Sequence, residues 1–313
     1  MSTTPTHIVL GGNGVAGRET LRALSERGIA PVSVGRTPSP DLDVRSVIAD
    51  LRDPDAVENA LKGADVAYLT AGLPYSDWET MWPRMLDNSI NACLANGTLL
   101  VYLDNVYAYG RVVGSMTETS EIRPVSRKGR VRAAALSMLE EAARSHGLVH
   151  TVGRSADFYG PGATTSVFNI FVVDKVVAGK RPTWFFDATQ RHSLTYTADI
   201  GEALVILGTD PRARGRTWHL PTASPALTGE EYMSMVTGSV GGHHTMSALT
   251  MRIGALFNRS ARETLEMSYQ YTEAYRFDSS AFETTFDMTA TPYAEGISDT
   301  LAAYRDARRS PRQ

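Results

Sequence analysis

One phrase near the start of the chain constrains its fold most strongly: the apolar run His7–Leu10 is followed at once by glycines at positions 11, 14 and 17. Leu21 and Leu24 then recur at helical spacing before Gly28. A strand that turns through glycines into a helix leaves backbone N–H groups exposed at the positive helix end, where a pyrophosphate can bind. The phrase predicts a dinucleotide cradle whose cofactor contacts are Gly11, Asn13, Gly14, Val15 and Gly17.

The end of the next predicted strand indicates which dinucleotide is bound. Arg36 follows Val32–Gly35, at the place where an NAD-binding chain carries an acidic residue for the ribose. A guanidinium attracts a 2′-phosphate and can meet it with two parallel hydrogen bonds. The sequence therefore predicts NADP(H) in preference to NAD(H). The alternative is that Arg36 is a solvated residue at a strand end.

Strands and helices alternate along the first half of the chain. Residues 47–53 predict a short third strand that ends in an acid and a turn, and further strands are predicted at 66–70 and 99–103, with a helix at 77–96. This alternation predicts an α/β fold with a doubly wound parallel sheet. The loops after the third and fourth strands are expected to reach the cofactor, the first at the adenine and the second by close backbone approach. Their candidate residues are Asp50, Leu51, Thr70, Ala71 and Gly72.

Composition sets limits on size and partners. The 313 residues, 42% of them hydrophobic, suffice for a cofactor domain at 1–160, completed by about 190–221, and a substrate lobe made mainly of 161–189 and 222–313. A net charge of −3 and short apolar runs predict no nucleic-acid or membrane partner. The single cysteine, Cys93, excludes an internal disulfide, and we predict no metal site. Without a recognisable signal peptide, the expected location is cytoplasmic.

Several motifs in order resemble the extended and atypical short-chain dehydrogenase/reductases, which include the NAD(P)-dependent epimerase/dehydratases. Residues 11–17 resemble the cofactor loop of this family, 104–110 the end of its fifth strand, 154–162 the turn beside the nicotinamide, and 191–200 the segment after it. The resemblance implies a Rossmann-type sheet with a smaller C-terminal substrate lobe, and a cofactor contact at Ser155. It also implies a possible homodimer formed through helices at 77–96 and 128–145.

The chain departs from the family at the residues that carry its chemistry. The family uses a tyrosine and, four residues later, a lysine, which lowers the pKa of the phenol so that it can transfer a proton near neutrality. Here Lys128 stands in the tyrosine position and Arg132 in the lysine position. Asn105 stands where the family has Ser or Thr at the end of the fifth strand.

Three interpretations follow. The first is a reductase in which Tyr107 or Tyr159 faces the substrate while Lys128 and Asn105 stabilise the developing oxyanion. The second is an NADP(H)-binding redox sensor of the NmrA type, or a scaffold for a non-redox step. The third is an NAD-dependent nucleotide-sugar epimerase or dehydratase, which needs the tyrosine that this chain lacks. Residues 123–132 also hold five basic residues, so Lys128 and Arg132 could belong to a solvated helix face. We favour a functional role, because this helix is expected to start beside the cofactor: Lys128 is a candidate cofactor contact and, with Arg132, a candidate catalytic residue.

The predicted substrate lobe contributes the last candidates. Residues 163–188 are apolar and aromatic, and Phe168 among them is a candidate substrate contact. This composition favours a small hydrophobic carbonyl or conjugated compound, although core packing explains it equally well. His192 is a candidate proton donor in the cleft, and a structural histidine is the alternative. We favour the reductase.

Overall fold

The computed structural model describes residues 5–39 and 43–309. Its centre is a seven-stranded sheet in the order β12-β7-β5-β4-β1-β2-β3, with every neighbouring pair parallel. The strands are β1 (His7–Leu10), β2 (Val32–Gly35), β3 (Arg45–Ile48), β4 (Val66–Leu69), β5 (Leu99–Asn105), β7 (His150–Ser155) and β12 (Thr217–His219). The predicted doubly wound α/β sheet of the Rossmann type is confirmed.

Helices cover both faces of this sheet, because successive strand residues point to opposite sides. Ile8 and Leu10 of β1 pack in the core beneath α2 (Pro54–Ala60), α3 (Trp78–Asn96) and α4 (Arg127–His146). Val9 packs on the other side, beneath α1 (Val15–Glu26) and α6 (Thr197–Thr209). Each strand therefore supplies two cores.

A third core lies in the part of the chain assigned to the substrate lobe. It gathers aromatic residues, among them Phe168, Trp184 and Tyr232, together with Ile297 and Leu301.

The remaining helices are α5 (Asp174–Val177), α7 (Gly229–Thr237), α8 (Ala248–Phe257), α9 (Arg259–Glu266), α10 (Tyr269–Thr272), α11 (Ser280–Phe286) and α12 (Tyr293–Arg309). The short strands are β6 (Ser115–Met116), β8 (Asp157–Tyr159), β9 (Thr183–Phe185), β10 (Arg191–His192), β11 (Leu194–Tyr196), β13 (Leu227–Thr228), β14 (His244–Met246) and β15 (Arg276–Phe277). The domain boundaries stay a prediction.

Residues 47–53 are predicted as a strand that ends in an acid and a turn, and the strand ends slightly earlier than that, at Ile48, two residues before Asp50. Side-chain hydrogen bonds explain the difference, because they favour a turn over an extended strand. The Asp50 carboxylate accepts from the N–H of Arg52 at 3.0 Å. Asp53 caps α2 by accepting from the backbone N–H groups of Asp55 and Ala56.

Two of the partner predictions concern the surface of the molecule. Within the described ranges, no helix combines the length and the apolar character needed to cross a bilayer.

The long helices α3 and α4 pack against each other along one face of the sheet. A homodimer formed through these helices stays a prediction.

Candidate functional site

The glycine turn after β1 has the geometry of a cradle for a pyrophosphate. Gly11 adopts φ +92°, and a Cβ there would lie 2.5 Å from Cα of Ala71. A Cβ at Gly17 would clash with the carbonyl oxygen of Gly11. Gly14 is the N-cap of α1, Val15 is its first residue, and no side chain caps the helix. The backbone N–H groups of this first turn therefore remain available to an anion, and the residues present fit a dinucleotide.

Asn13 connects this turn to the segment after β2. Its Nδ2 donates to the carbonyl oxygen and the hydroxyl of Thr37, both at 2.9 Å, and to the carbonyl oxygen of Pro38 at 3.2 Å. Arg36, directly before Thr37, is exposed. The glycine turn and Arg36 thus lie at one edge of the sheet. The contact of Arg36 with a 2′-phosphate stays a prediction.

The residues predicted at the adenine have different surroundings. Asp50 forms a two-pronged ion pair with Arg52, with Nε to Oδ1 at 2.9 Å and Nη2 to Oδ2 at 2.5 Å. These hydrogen bonds lower the pKa of Asp50 to about 2. Leu51 is 8% exposed and packs in the core, and its carbonyl oxygen accepts from Asn88 at 2.9 Å. The Leu51 side chain is thus turned into the core, and the contacts of Asp50 and Leu51 with an adenine stay predictions.

The strand order reverses between β1 and β4, and the end of β4 forms the floor of the crevice there. Thr70 is buried, and both its N–H, at 3.0 Å, and its hydroxyl, at 3.2 Å, donate to the carbonyl oxygen of Leu10. Ala71 lies against Gly11, whereas Gly72 borders open space. Ser155, at the end of β7, is buried and pairs in register with Asn105. These positions are consistent with the predicted close approach of a cofactor, whose contacts stay predictions.

Lys128 is buried in the first turn of α4 and is not part of a solvated face. Its Nζ forms ion pairs with Glu263 and with Glu266, the second at 2.7 Å, and it also lies 3.3 Å from the carbonyl oxygen of Glu263. The ring of Tyr75 lies 4.8 Å away. An ammonium has three donors, and here three acceptors occupy them. Lys128 thus joins α4 to α9, and the expectation of a free ammonium facing a substrate needs correction.

Arg132 also lies away from the site. Its guanidinium stacks over Trp82 at 3.7 Å and Trp78 at 4.4 Å. Its Nη1 donates to the Tyr102 hydroxyl at 3.0 Å and lies 3.4 Å from the Asp104 carboxylate. The side chain is thus held in the core between α3, α4 and β5, because aromatic faces and a buried carboxylate compensate its charge. We assign Arg132 a structural role in place of the predicted catalytic one.

Asn105 and Tyr107 remain at the end of β5, as the sequence places them. The Asn105 Oδ1 accepts from the N–H of Tyr107 at 3.1 Å and caps the short 3₁₀ helix Val106–Tyr109. The hydroxyls of Tyr107 and Tyr75 lie 2.9 Å apart. Burial raises the pKa of Tyr107 well above its usual value and also raises the pKa of Tyr75. Both phenols are therefore protonated, and hence able to donate, at neutral pH.

Tyr159, the other predicted proton donor, belongs to the third core. It is fully buried and packs against Phe168, Tyr196 and Tyr293. Its hydroxyl makes no hydrogen bond within the described part of the chain, and burial raises its pKa. A side chain enclosed by aromatic rings cannot reach a substrate, so the predicted catalytic role of Tyr159 is replaced by packing.

A cavity that opens to solvent lies at the carboxyl ends of β5 and β7. Much of its lining is aromatic and includes Phe168, the predicted substrate contact. Its polar part includes Tyr75, Tyr107, Asp157 and His192, together with hydroxyl and amide side chains such as Ser166 and Gln270. Glu263 adds a second carboxylate, and the lining contains no Lys or Arg among the residues that the structure describes. The cavity suits an uncharged hydrophobic compound.

His192 faces this cavity as half of a pair that sequence reasoning missed. Its Nε2 lies 3.0 Å from Oδ2 of Asp157, and its Nδ1 lies 3.2 Å from the carbonyl oxygen of Gln270. Tyr271 also donates to Oδ2 of Asp157, at 3.2 Å. Asp157 stands within the segment 154–162 that carries the family resemblance, but only the parallel pairing of β8 with β11 brings it beside His192. In the described ranges, no three His, Cys, Asp or Glu side chains converge as metal ligands would.

Comparison with known proteins adds a family and a fold. Residues 7–220 match the model of the NAD dependent epimerase/dehydratase family. A search among curated proteins finds no significant match.

Three solved structures illustrate the likeness in fold. UDP-N-acetylglucosamine 4-epimerase from Bacillus cereus is 16% identical, with a TM-score of 0.77 over 99% of this chain and 98% of that one. UDP-glucose 4-epimerase from Thermus thermophilus, in complex with NAD, is 19% identical, with a TM-score of 0.78 over 96% and 99%. MoeE5, in complex with UDP-glucose and NAD, is 21% identical, with a TM-score of 0.78 over 97% and 99%.

Proposed function

The chain belongs to the NAD dependent epimerase/dehydratase family, and from this premise we propose that it is an NADP(H)-dependent reductase of a small hydrophobic carbonyl or conjugated compound. The observation that carries the proposal is the aromatic cavity at the carboxyl edge of the sheet, with protonated phenols at one end. The glycine turn opens at the same edge. Cofactor and substrate would therefore meet beyond the ends of β4 and β5.

The cofactor would be held by the glycine turn and the segment after β2. The first turn of α1 offers backbone N–H groups to the pyrophosphate, and Arg36 offers a guanidinium to a 2′-phosphate. Structural neighbours were solved with NAD, so the preference for NADP(H) rests on Arg36 alone. When bound, the reduced cofactor supplies a hydride to the carbonyl carbon.

The residues of this chain would prepare the carbonyl for that transfer. Tyr107 and Tyr75 present phenolic O–H groups that can donate to the oxygen as it gains negative charge. Phe168 and Trp184 exclude water from the same volume, which strengthens such hydrogen bonds. Asn105 contributes through the turn that it caps, which fixes the backbone of Tyr107.

A nucleotide sugar fits this cavity poorly. Its diphosphate carries negative charges that a binding protein normally meets with Arg or Lys. Here the described lining has no basic residue, and Asp157 and Glu263 are acidic. The nucleotide sugars named for the structural neighbours are therefore not proposed as substrates, and neither is the epimerase or dehydratase reaction.

A second candidate function, binding of NADP(H) without turnover, is favoured by the ion pairs of Lys128. The two positions that carry the tyrosine and lysine of the family are occupied here by side chains engaged elsewhere: Lys128 contacts three acceptors, and Arg132 contacts the Tyr102 hydroxyl and two tryptophan rings. A protein that only senses the redox state of the cofactor would need no reactive group there. It would bind NADPH and NADP⁺ with different affinities and would not convert either form into the other.

Cofactor titration followed by a substrate screen separates these functions. NADPH and NADH are titrated by fluorescence, and hydrophobic aldehydes, ketones and enones are then tested for NADPH oxidation. We expect tight NADPH binding and turnover of at least one carbonyl compound. Tyr107→Phe, which keeps the ring and removes the hydroxyl, should lower turnover about 100-fold and leave NADPH affinity unchanged.

The other outcomes identify the alternatives. Tight NADPH binding without turnover of any compound would favour the sensor. Conversion of a UDP-sugar would restore the epimerase interpretation. Failure to bind either dinucleotide would contradict the proposed function altogether.

A further inference from the structure

We propose that Asp157 and His192 together are the proton donor to the substrate oxygen, an assignment that rests on the proposed reductase function. The pair lines the cavity beside Trp184 and Tyr271 of its aromatic part. It lies outside the helix that carries the catalytic pair of the resembled family, and it is formed by β8 and β10 instead.

Counting donors shows that the pair holds a transferable proton. His192 Nδ1 faces the carbonyl oxygen of Gln270, which can only accept, so Nδ1 carries a hydrogen. His192 Nε2 faces Oδ2 of Asp157 at 3.0 Å, and a hydrogen must lie between these two atoms as well. A neutral imidazole and an ionised carboxylate have only one hydrogen between them. With a hydrogen in each of the two contacts, the pair holds one proton more, shared by Nε2 and Oδ2.

The surroundings hold the imidazole in this orientation. The ring is 2% exposed and lies between Tyr271 and Tyr275, whose ring centroids are 4.6 Å and 4.4 Å away and nearly parallel to it. Trp184 meets it edge-on at 5.8 Å. A ring stacked on both faces is restricted in its rotation, which keeps Nδ1 at Gln270 and Nε2 at Asp157.

Asp157 is the residue of the pair that can pass the proton to a substrate in the cavity. Its side chain is 21% exposed, against 2% for His192, and it faces the cavity. Tyr271 donates to its Oδ2 at 3.2 Å, which supports the ionised form once the proton has gone. The other titratable groups around the cavity are Tyr75, Tyr107 and Glu263, and the described lining adds no cation that would repel a protonated pair.

The reaction balances with a reduced nicotinamide dinucleotide as the reductant. A hydride forms the new C–H bond, the carbonyl π bond breaks, and its electron pair goes to oxygen. The oxygen takes the shared proton through Asp157 and becomes a hydroxyl. The pair is left as a carboxylate and a neutral imidazole, and water returns the proton from the open side of the cavity.

The test begins with the proton itself and needs neither cofactor nor turnover. In protein labelled with ¹⁵N at histidine and ¹³C at aspartate, NMR at pH 7 should show either a doubly protonated His192 ring or a protonated Asp157 carboxyl. A singly protonated ring beside an ionised carboxylate would overturn the proposal. This measurement uses the wild-type chain, so it does not depend on whether a variant folds.

Asp157→Asn then tests the use of the proton. Its amide can donate to a neutral Nε2, so the hydrogen bond remains while the transferable proton is lost. We expect carbonyl reduction to fall about 100- to 10,000-fold, the pH profile of kcat to lose one ionisation, and NADPH affinity to stay unchanged. The matched control is Asp187→Asn, at a half-exposed carboxylate that contacts Thr189 and Gln190, which should retain wild-type turnover.

The possible failures are distinguishable. If the wild-type chain reduces a carbonyl compound and Asp157→Asn does so equally fast, the proton-donor assignment is wrong and the reductase stands. If the wild-type chain binds NADPH and reduces nothing, the proposed function is wrong, and the assignment of Asp157 and His192 as a catalytic donor falls with it.

Discussion

Arg36 is the residue on which cofactor preference depends in this proposal. Replacing it with alanine removes a charge-assisted contact to the 2′-phosphate, which is worth about 1.5–3 kcal/mol. We therefore expect Arg36→Ala to weaken NADPH binding roughly 10- to 100-fold and to leave NADH binding unchanged. Isothermal titration with both dinucleotides measures the change. Equal losses for NADPH and NADH would show that Arg36 does not read the phosphate.

Glu266 shows how the Lys128 cluster depends on pH. Burial alone would raise its pKa, but hydrogen bonds and charge from Lys128, with the backbone N–H groups of Arg127 and Lys128, lower it below the usual value. A lowered carboxyl pKa stabilises the fold above the unfolded value of about 4.3, and this contribution is lost as the pH falls through the folded value. Wild-type stability should therefore fall as the pH drops below about 4.

Glu266→Gln should lose less stability over that acidic range, because it lacks the titrating group. The free energy of unfolding in urea, measured at pH 7, 5 and 3 for both chains, provides the comparison. Parallel curves would mean that the cluster does not contribute to acid sensitivity. Glu141→Gln, at an exposed carboxylate on α4 whose pKa is lowered by Ser145 and Arg144, measures what an exposed contact contributes over the same pH range.

At the scale of secondary structure, the helix α1 is positioned by the close contact between its residue Gly17 and the glycine turn that follows β1. A methyl group at Gly17 would clash with the Gly11 carbonyl oxygen, so Gly17→Ala should displace the first turn of α1. We expect it to abolish NADPH binding and to lower the melting temperature. Gly72 has open space around it, so Gly72→Ala should keep wild-type stability while testing whether the cofactor approaches β4. Unchanged NADPH affinity in Gly17→Ala would contradict the cradle.

One buried carboxylate, that of Asp104, links the strands β5 and β7 and the helix α4. Asp104 of β5 pairs with Arg154 of β7 at 3.0 Å and with Arg132 of α4 at 3.4 Å. Removing its charge leaves two guanidinium groups in the core without their counter-ion. Asp104→Asn should therefore cost about 3 kcal/mol of unfolding free energy, measured by urea denaturation. A loss below about 1 kcal/mol would show that the aromatic rings around Arg132 suffice to hold its charge.

At the scale of the whole molecule, cofactor binding should stabilise the fold. A ligand that binds only the native state adds about 2.7 kcal/mol at a concentration 100 times its Kd. For a chain of this size, that corresponds to a rise in melting temperature on the order of 5 °C. Differential scanning calorimetry with NADPH should show it, and Gly17→Ala should show none. A wild-type chain without any shift would argue against dinucleotide binding.

The sequence by itself determined the sheet, the glycine cradle and the edge at which a cofactor would bind. These features follow from local rules, since strand and helix periodicity and the steric needs of Gly11 and Gly17 involve neighbouring residues. Only the tertiary structure decided the surroundings of Lys128, whose partner Glu263 is 135 residues away, and of His192, whose partner Asp157 is 35 residues away. The charge and the protonation of a buried group depend on what packs around it, and that packing exists only once distant segments have met.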